Sequence, residues 1–106
     1  MTGSACSLEE HLDEVADIAR AHPAMRMMPR VANLDGDRWT SAETSALLAD
    51  PEARTCLARG IATRVIALGA HGVNVDLEAL APEDAAGLVA FVAALRDALH
   101  PTGRAV

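Results

Sequence analysis

The residues of this chain best suited to chemistry are two acidic side chains in a short segment that alternates between apolar and polar types. Within residues 69–80, six consecutive positions alternate in this way: Val73, Asn74, Val75, Asp76, Leu77 and Glu78. Successive side chains of a strand point to opposite faces, so the three polar groups share one face. Two rises of about 3.3 Å place the Cα atoms of Asp76 and Glu78 about 6–7 Å apart. Coupled carboxyl groups push their proton affinities apart, so one can stay protonated near neutral pH and act as a general acid.

The surroundings of this strand favour a functional role for its polar face. Helical patterns flank it, and a strand between two helices normally lies in a parallel sheet with both faces covered. Two carboxylates and an amide are costly on a covered face unless they are hydrogen-bonded or used. An exposed antiparallel strand is the alternative, but it needs hairpin neighbours. The one Asp-Gly pair, Asp35-Gly36, lies between a proline-containing apolar segment and a helix start. We therefore interpret residues 73–77 as an active-site strand.

Helical periodicities and capping signals predict three long helices and two short strands. Helices are expected near 8–21, 52–68 and 82–99, and strands near 26–32 and 73–77. The central helix begins after Asp50-Pro51, an N-cap followed by proline at the first helical position. Gly69 is a natural C-cap for the same helix. The acidic strand therefore follows a helix with clear signals at both ends.

Shorter elements are also indicated by local sequence. Asn33–Thr40, which includes Trp39, is expected to be a polar loop. Thr40 and Glu43 have the spacing of a capping box, which predicts a short helix through Ala49. The last five residues, 102–106, resemble the approach to another strand.

The order of the long elements, α-β-α-β-α, is typical of an α/β fold with parallel βα units. Two strands are too few for a stable sheet on their own. We therefore predict that residues 1–106 form one partial domain, a slice of a (β/α)8 TIM barrel. In such a barrel the catalytic groups lie at the C-terminal ends of the strands, where Asp76 and Glu78 are found.

Composition and charge exclude several classes of function. The net charge is −6 and Lys and Arg do not cluster, which argues against a nucleic-acid partner. No apolar run approaches the roughly 20 residues of a membrane span. Cys6 and Cys56 have no close partner or metal-ligand spacing, so two reduced thiols are expected. The start lacks signal-peptide features, which predicts a cytoplasmic location for the sequence as given. A truncated start would leave an envelope or secreted location open.

The acidic strand resembles a known family signature. Gly69-x-His71-Gly72-Val73-Asn74-Val75-Asp76-Leu77-Glu78 is similar to the strand-four pattern D-x-x-D-x-D-x-E of family-18 glycoside hydrolases, the chitinase-like barrels. Residues 28–33 with the following loop and helix, and residues 82–103, resemble the segments on either side of that strand. The similarity is greatest to a divergent bacterial branch related to spore-cortex hydrolases, and it covers only part of a barrel.

The resemblance implies an activity and a set of roles. Glu78 matches the catalytic acid, and Asp76 matches the acidic residue that orients the N-acetyl group of the substrate. The implied reaction is substrate-assisted retaining hydrolysis of N-acetylated glycans, chitin- or peptidoglycan-like, without a cofactor. Asn74, Asn33 and Trp39 are the candidate substrate-binding residues. The chain departs from the pattern at His71 and Asn74, which replace its first two aspartates, and it contains no Tyr.

Other readings of the same residues stay open. A non-catalytic carbohydrate-binding or interaction module would keep the strand and lose the chemistry, and the changes at His71 and Asn74 favour it. His71, Asp76 and Glu78 could in principle ligate a divalent cation. The sequence offers no second His or Asp cluster to complete such a site, so no metal is expected.

Self-association through sheet edges is also expected. Aromatic residues make up only 2% of the chain, and a two-stranded slice leaves unpaired edges. We expect this chain alone to self-associate or to be marginally stable. Sizing chromatography and thermal unfolding test this, and a sharp monomer peak with cooperative unfolding at high temperature would contradict it.

Overall fold

A computed structural model describes residues 17–18 and 20–106. Most of the helix predicted near 8–21 therefore lies outside the described residues, although 17, 18, 20 and 21 are helical. The strands are β1 (Arg30–Ala32), β2 (Leu34–Asp35), β3 (Arg38–Trp39) and β4 (Asn74–Asp76). The helices are α1 (Ser41–Ala49), α2 (Pro51–Ala67) and α3 (Ala85–Leu99), with short 3₁₀ turns at Pro82–Asp84 and His100–Thr102.

The predicted parallel arrangement of the two strands is confirmed. β1 and β4 pair in parallel, with Val31 opposite Val75. Both strands are shorter than the predicted 26–32 and 73–77. Pro29 has no N–H to donate to the ladder, although its carbonyl accepts a hydrogen bond from Asn74 at 2.9 Å. On the other side of the same segment, Gly72 forms a parallel bridge with Ala105. The chain end thus approaches the sheet as a third parallel segment.

The segment after β1 is not the irregular polar loop that was predicted over Asn33–Thr40. It is an antiparallel hairpin in which β2 pairs with β3, and Leu34 lies opposite Trp39. Gly36 has φ +63° at the first central position of the two-residue turn, where glycine adopts positive φ without a steric penalty. The Asp35-Gly36 pair was therefore a hairpin signal, although its flanks do not alternate.

Local hydrogen bonds define the ends of the helices. The Asp50 side chain accepts a hydrogen bond from the Glu52 N–H at 3.0 Å and caps the start of α2. Gly69 has φ +66°, and the Ala70 N–H donates to the Val65 carbonyl, which closes α2 with a Schellman-type arrangement. The predicted capping box at Thr40 is wrong, because its hydroxyl donates instead to the Asn33 carbonyl at 3.0 Å.

The core lies between the helices and one face of the sheet. Its fully buried members are mostly aliphatic and come from all three helices and from the segment before β4: Leu48, Ile61, Val73, Phe91, Leu95 and Leu99. Val31 and Val75 pack against this cluster from the sheet. On the opposite face, Arg30 and Asn74 are exposed. Among the described residues the helices thus cover only one face, which leaves the polar face of β4 open.

Cys56 is disulfide-bonded, so the prediction of two reduced thiols is wrong. The expectation rested on the wide spacing of the two cysteines in the sequence, and spacing does not determine which cysteines come together in a fold. Within the described part of the chain, no helix is both long and apolar enough to cross a membrane.

Gly87 permits a close approach between α3 and the end of α1. A Cβ atom at this position would lie 2.4 Å from the Leu48 carbonyl oxygen. We expect Gly87→Ala to destabilise the fold by about 1–3 kcal/mol through overpacking, which outweighs a gain of up to about 1 kcal/mol in helix propensity. Denaturant unfolding measures the change.

The matched control lies on the same helix. Val89 is 70% exposed, and we expect Val89→Ala to change the free energy of unfolding by no more than about 0.5 kcal/mol. A Gly87→Ala variant as stable as the unmodified chain would show that α1 and α3 do not pack this closely.

Candidate active site

The register of the parallel strands places polar side chains of two strands on one face. Arg30 lies opposite Asn74, and Ala32 lies opposite Asp76. Paired residues of neighbouring strands point to the same face, so these four residues share the face that the helices do not cover. The Asp76 side chain keeps 28% of its accessible surface and that of Arg30 keeps 53%. Solvent, and therefore a ligand, can reach both.

Asp76 and Glu78 interact directly. A hydrogen bond with the Asp76 carboxyl raises the pKa of Glu78 above its ordinary value, and partial loss of solvent and the negative charge of Asp76 act in the same direction. The positive charge of Arg30 opposes them. The two predicted catalytic carboxyl groups therefore form a coupled pair, in which Glu78 keeps its proton to a higher pH than an isolated glutamate would.

Arg30 is a member of this site that sequence reasoning missed. Its Nη1 atom lies 3.0 Å from Oδ2 of Asp76 and donates a hydrogen bond to it. The pair joins residues 46 positions apart, and no local pattern reveals such a contact. Arg30 lies within the predicted strand 26–32, two residues before Ala32, so the side chains of these two residues share a face. This was the signal that the sequence offered. The strand register was needed to show that this is the face of Asp76.

Asn33 holds the main chain of Glu78 at both of its polar groups. The Asn33 Nδ2 donates to the Glu78 carbonyl at 2.9 Å, and the Glu78 N–H donates to Oδ1 of Asn33 at 2.8 Å. Asn33 is only 8% exposed. Sequence reasoning had placed Asn33 among the substrate-binding residues. Its side-chain amide contacts the backbone just beyond β4, and its part in substrate binding stays a prediction.

The backbone is strained directly after Glu78. Ala79 has φ +56°, in the left-handed region that residues other than glycine rarely adopt. Such conformations cost about 1–3 kcal/mol and persist only where surrounding contacts enforce them. The two hydrogen bonds between Asn33 and the Glu78 main chain are contacts of this kind, because they fix the residue immediately before the strained one.

The remaining predicted site residues occupy different places. Asn74 is exposed on the same face of β4 as Asp76. Trp39 is half-buried on β3, and the hairpin that carries it is joined to Asn33 by a hydrogen bond from the Thr40 N–H to the Asn33 carbonyl at 2.8 Å. His71 lies before β4, at the end opposite to Glu78, where its Nδ1 accepts a hydrogen bond from the Met27 N–H. The carboxyl pair is thus the feature around which the site is organised.

No metal-binding group emerges from these positions. Among the described residues, no three His, Cys, Asp or Glu side chains come together in an arrangement that could hold a metal ion. The functional groups on and beside this face are the two carboxyl groups, the Arg30 guanidinium and the amides of Asn74 and Asn33.

Comparisons with known proteins find a similarity among solved structures. No protein-family model and no curated protein sequence matches the chain. Among solved structures it is similar to the "putative sporulation-specific glycosylase ydhD from Bacillus subtilis", with a TM-score of 0.83 and 25% sequence identity. The alignment covers 94% of this chain and 33% of that chain, so this chain spans about one third of the neighbour's length. The neighbour points to a glycosidase-like fold built from helices and parallel strands.

Proposed function

We propose that this chain is part of a glycoside hydrolase of the family-18 type that acts on N-acetylated glycans. Glu78 is the general acid and Asp76 its partner, and both act at the C-terminal end of β4. The coupled carboxyl pair on the open face of a parallel sheet is the observation that carries the proposal. The similarity to a glycosylase over 94% of the chain supports a glycosidase in general.

The strand arrangement supports a slice of a (β/α)8 barrel as the framework. β1 and β4 are parallel neighbours, and Gly72 bridges Ala105 in the same sense. Consecutive parallel strands that are neighbours in space, with helices on one side, are the repeating unit of such a barrel. In that framework the polar face of β4 is turned inward, and Asp76 and Glu78 lie at the end where barrel enzymes place their catalytic groups.

The proposed reaction proceeds in two proton-balanced steps. Glu78 donates its proton to the glycosidic oxygen as the bond from that oxygen to the anomeric carbon breaks. The acetamido oxygen of the substrate attacks the same carbon, while the Asp76 carboxylate accepts a hydrogen bond from the acetamido N–H and stabilises its developing positive charge. Water then attacks the anomeric carbon as the bond from that carbon to the acetamido oxygen breaks, and the Glu78 carboxylate takes up a proton from the attacking water. Net retention of configuration follows from two inversions.

Asn33 positions the acid in this scheme. Its amide ties down the N–H and the carbonyl of Glu78, which restricts where the side chain can point. A displacement of about 1 Å can lower the rate of a catalysed reaction severely. A fixed main chain at Glu78 therefore favours a high kcat, because it keeps the acid close to the glycosidic oxygen. Asn74 and Trp39 are the proposed substrate-binding residues. Asn74 supplies an amide on the open face, and Trp39 supplies a ring surface on which a sugar can stack.

The disulfide at Cys56 supports a location outside the cytoplasm. Disulfides persist in oxidising compartments such as the bacterial periplasm and the exterior of the cell. Peptidoglycan- and chitin-like polymers are also found outside the cytoplasm. We therefore propose an envelope or secreted location.

Substitution of the two carboxyl groups tests the proposed roles. We expect Glu78→Gln to lower kcat by about 10²–10⁴-fold, because the amide keeps the shape of the carboxyl but cannot donate the proton. Asp76→Asn should lower kcat on a similar scale, because the acetamido group is no longer charge-stabilised. The measurement is cleavage of chito-oligosaccharides and glycan strands by the full-length protein.

The control for this experiment is an acid outside the pair. Glu83 is exposed in the 3₁₀ turn before α3, and Glu83→Gln should leave turnover unchanged. Comparable turnover in Glu78→Gln would refute the assignment of the acid. An unmodified protein that binds glycan without ever cleaving it would establish the alternative, a carbohydrate-binding module, which the changes at His71 and Asn74 favour.

Removal of the Asn33 amide tests its positioning role. Asn33→Ala deprives two backbone groups of Glu78 of their partners, and we expect it to cost about 1–3 kcal/mol of unfolding free energy. It should also lower kcat more than it changes KM, because Glu78 is released. Denaturant unfolding and steady-state kinetics measure these effects. For stability, the exposed Asn74→Ala is the comparison, with an expected change within about 0.5 kcal/mol. Equal stability of the two variants would contradict the role given to Asn33.

A further inference from the structure

The loop between β4 and α3, residues 77–84, carries Glu78 and ends at a buried carboxyl group. Asp84 is only 9% exposed. Its Oδ2 atom accepts a hydrogen bond from the Ala81 N–H at 2.8 Å and another from the Ser45 hydroxyl at 2.7 Å. The first contact lies within the loop, whereas the second comes from α1, 39 positions earlier in the chain. Asp84 therefore joins the end of the loop to a neighbouring helix.

The junction between α1 and α3 gives the Asp84 carboxyl a fixed place. About one turn beyond Ser45 on α1, the Leu48 carbonyl oxygen lies so close to Gly87 that a Cβ atom on the glycine would be 2.4 Å away. Gly87 follows Asp84 by about one helical turn as well. Two contacts of matching spacing thus join the two helices, and Leu48 belongs to the hydrophobic core. The carboxyl group is therefore held by the packed part of the molecule.

The strained residue of this loop, Ala79, lies between two points at which the main chain is held. Its φ of +56° persists only where the surrounding contacts enforce it. On one side, Asn33 binds the N–H and the carbonyl of Glu78 at 2.8 and 2.9 Å. On the other side, the half-buried Leu80 packs against the core, and the Ala81 N–H is bound by the buried carboxyl group. Fixing the chain on one side alone would let the other side turn and relieve the strain.

Relaxation at Ala79 would reach Glu78 through the peptide unit that the two residues share. That unit is planar and includes the Glu78 carbonyl, which accepts the hydrogen bond from Nδ2 of Asn33. Rotation of the plane would move the carbonyl away from Asn33 and change the direction of the Glu78 side chain relative to Asp76, with which it is hydrogen-bonded. The contacts at the end of the loop therefore affect the acid as well as the start of α3.

We propose that Asp84 is a positioning residue for Glu78, on which it acts through the main chain of the loop. Ser45 holds its carboxyl group, that group holds the Ala81 N–H, and the turn at Ala79 is thereby kept in its strained conformation. A plain helix cap would instead stabilise the start of α3 and leave the turn unaffected. The catalytic consequence rests on the proposed function, whereas the effect on the turn does not depend on turnover.

A double-mutant cycle tests whether Asp84 enforces the strain. In the unmodified chain, Ala79→Gly should raise the ratio of folded to unfolded protein about 2- to 5-fold, because glycine adopts positive φ freely and this gain exceeds its entropic cost. In Asp84→Ala the turn is released, so Ala79→Gly should bring no gain. Ser45→Ala, which removes one of the two hydrogen bonds, should reduce the gain. Denaturant unfolding of the full chain measures each ratio.

Two matched variants serve as controls for the cycle. Asp84→Asn keeps an oxygen that can accept both hydrogen bonds, and Asp97→Ala removes an exposed acid of α3, so both should leave the gain from Ala79→Gly intact. An equal gain in Asp84→Ala and in the unmodified chain would overturn the inference and leave Asp84 as a helix cap. Where Asp84→Ala does not fold, an undiminished gain in Ser45→Ala would overturn it in the same way.

The kinetic consequence is measured separately in the full-length protein. Asp84→Ala should lower kcat by about 10-fold or more with little change in KM, because the acid is displaced while the groups that bind the substrate remain. Asp84→Asn should restore most of kcat. An unchanged kcat in Asp84→Ala would contradict the positioning role. Absence of hydrolysis in the unmodified protein would refute the proposed function, whereas the unfolding cycle would still decide the role of Asp84.

Discussion

The parallel register of β1 and β4 is the constraint on which the rest of this structure depends. With Val31 opposite Val75, the apolar residues of both strands face the helices and the polar ones face away. A slip of one residue would exchange the two faces of a strand, burying Asp76 against Phe91 and its neighbours and exposing Val75. The hydrophobic core thus selects the register, and the register in turn brings Arg30 to Asp76. The site is assembled as a consequence of core packing.

The local contacts around β4 act together on one side chain. Asp76 makes protonation of Glu78 more favourable, Arg30 sets a limit to that effect, and Asn33 fixes the main chain from which Glu78 projects. The strained Ala79 follows immediately. Strain, a pair of carboxyl groups and a fixed backbone within a few residues are features that cluster at functional sites. Their coincidence at one strand end is the physical basis for the proposal of a glycosidase.

Sequence reasoning succeeded where a local sequence pattern is compatible with a single local structure. The alternation over 73–77 gave the two-faced strand, Asp50-Pro51 gave the start of α2, and the residues near the chain end proved to approach the sheet, where Ala105 meets Gly72. These features depend on backbone periodicity and capping, which neighbouring residues determine.

It failed where distant residues or competing partners decide the outcome. Two contacts of the site join residues about 45 positions apart: the ion pair of Arg30 with Asp76 and the hydrogen bonds of Asn33 with Glu78. They can be recognised only once the pairing of β1 with β4 is known. Thr40 and Glu43 have the spacing of a capping box, but the Thr40 hydroxyl donates its hydrogen bond to the Asn33 carbonyl instead. The hairpin at Gly36 lacks alternating flanks because its strands have only two residues each, too short to show a period.

The stereochemistry of hydrolysis tests the central claim most directly. In the substrate-assisted mechanism the acetamido oxygen and then water attack the anomeric carbon in succession, so the configuration is retained. A chito-oligosaccharide with β linkages would be incubated with the full-length protein, and the first product formed would be followed by ¹H NMR before mutarotation. The account predicts initial release of the β-anomer. Initial release of the α-anomer, or binding without cleavage, would contradict it.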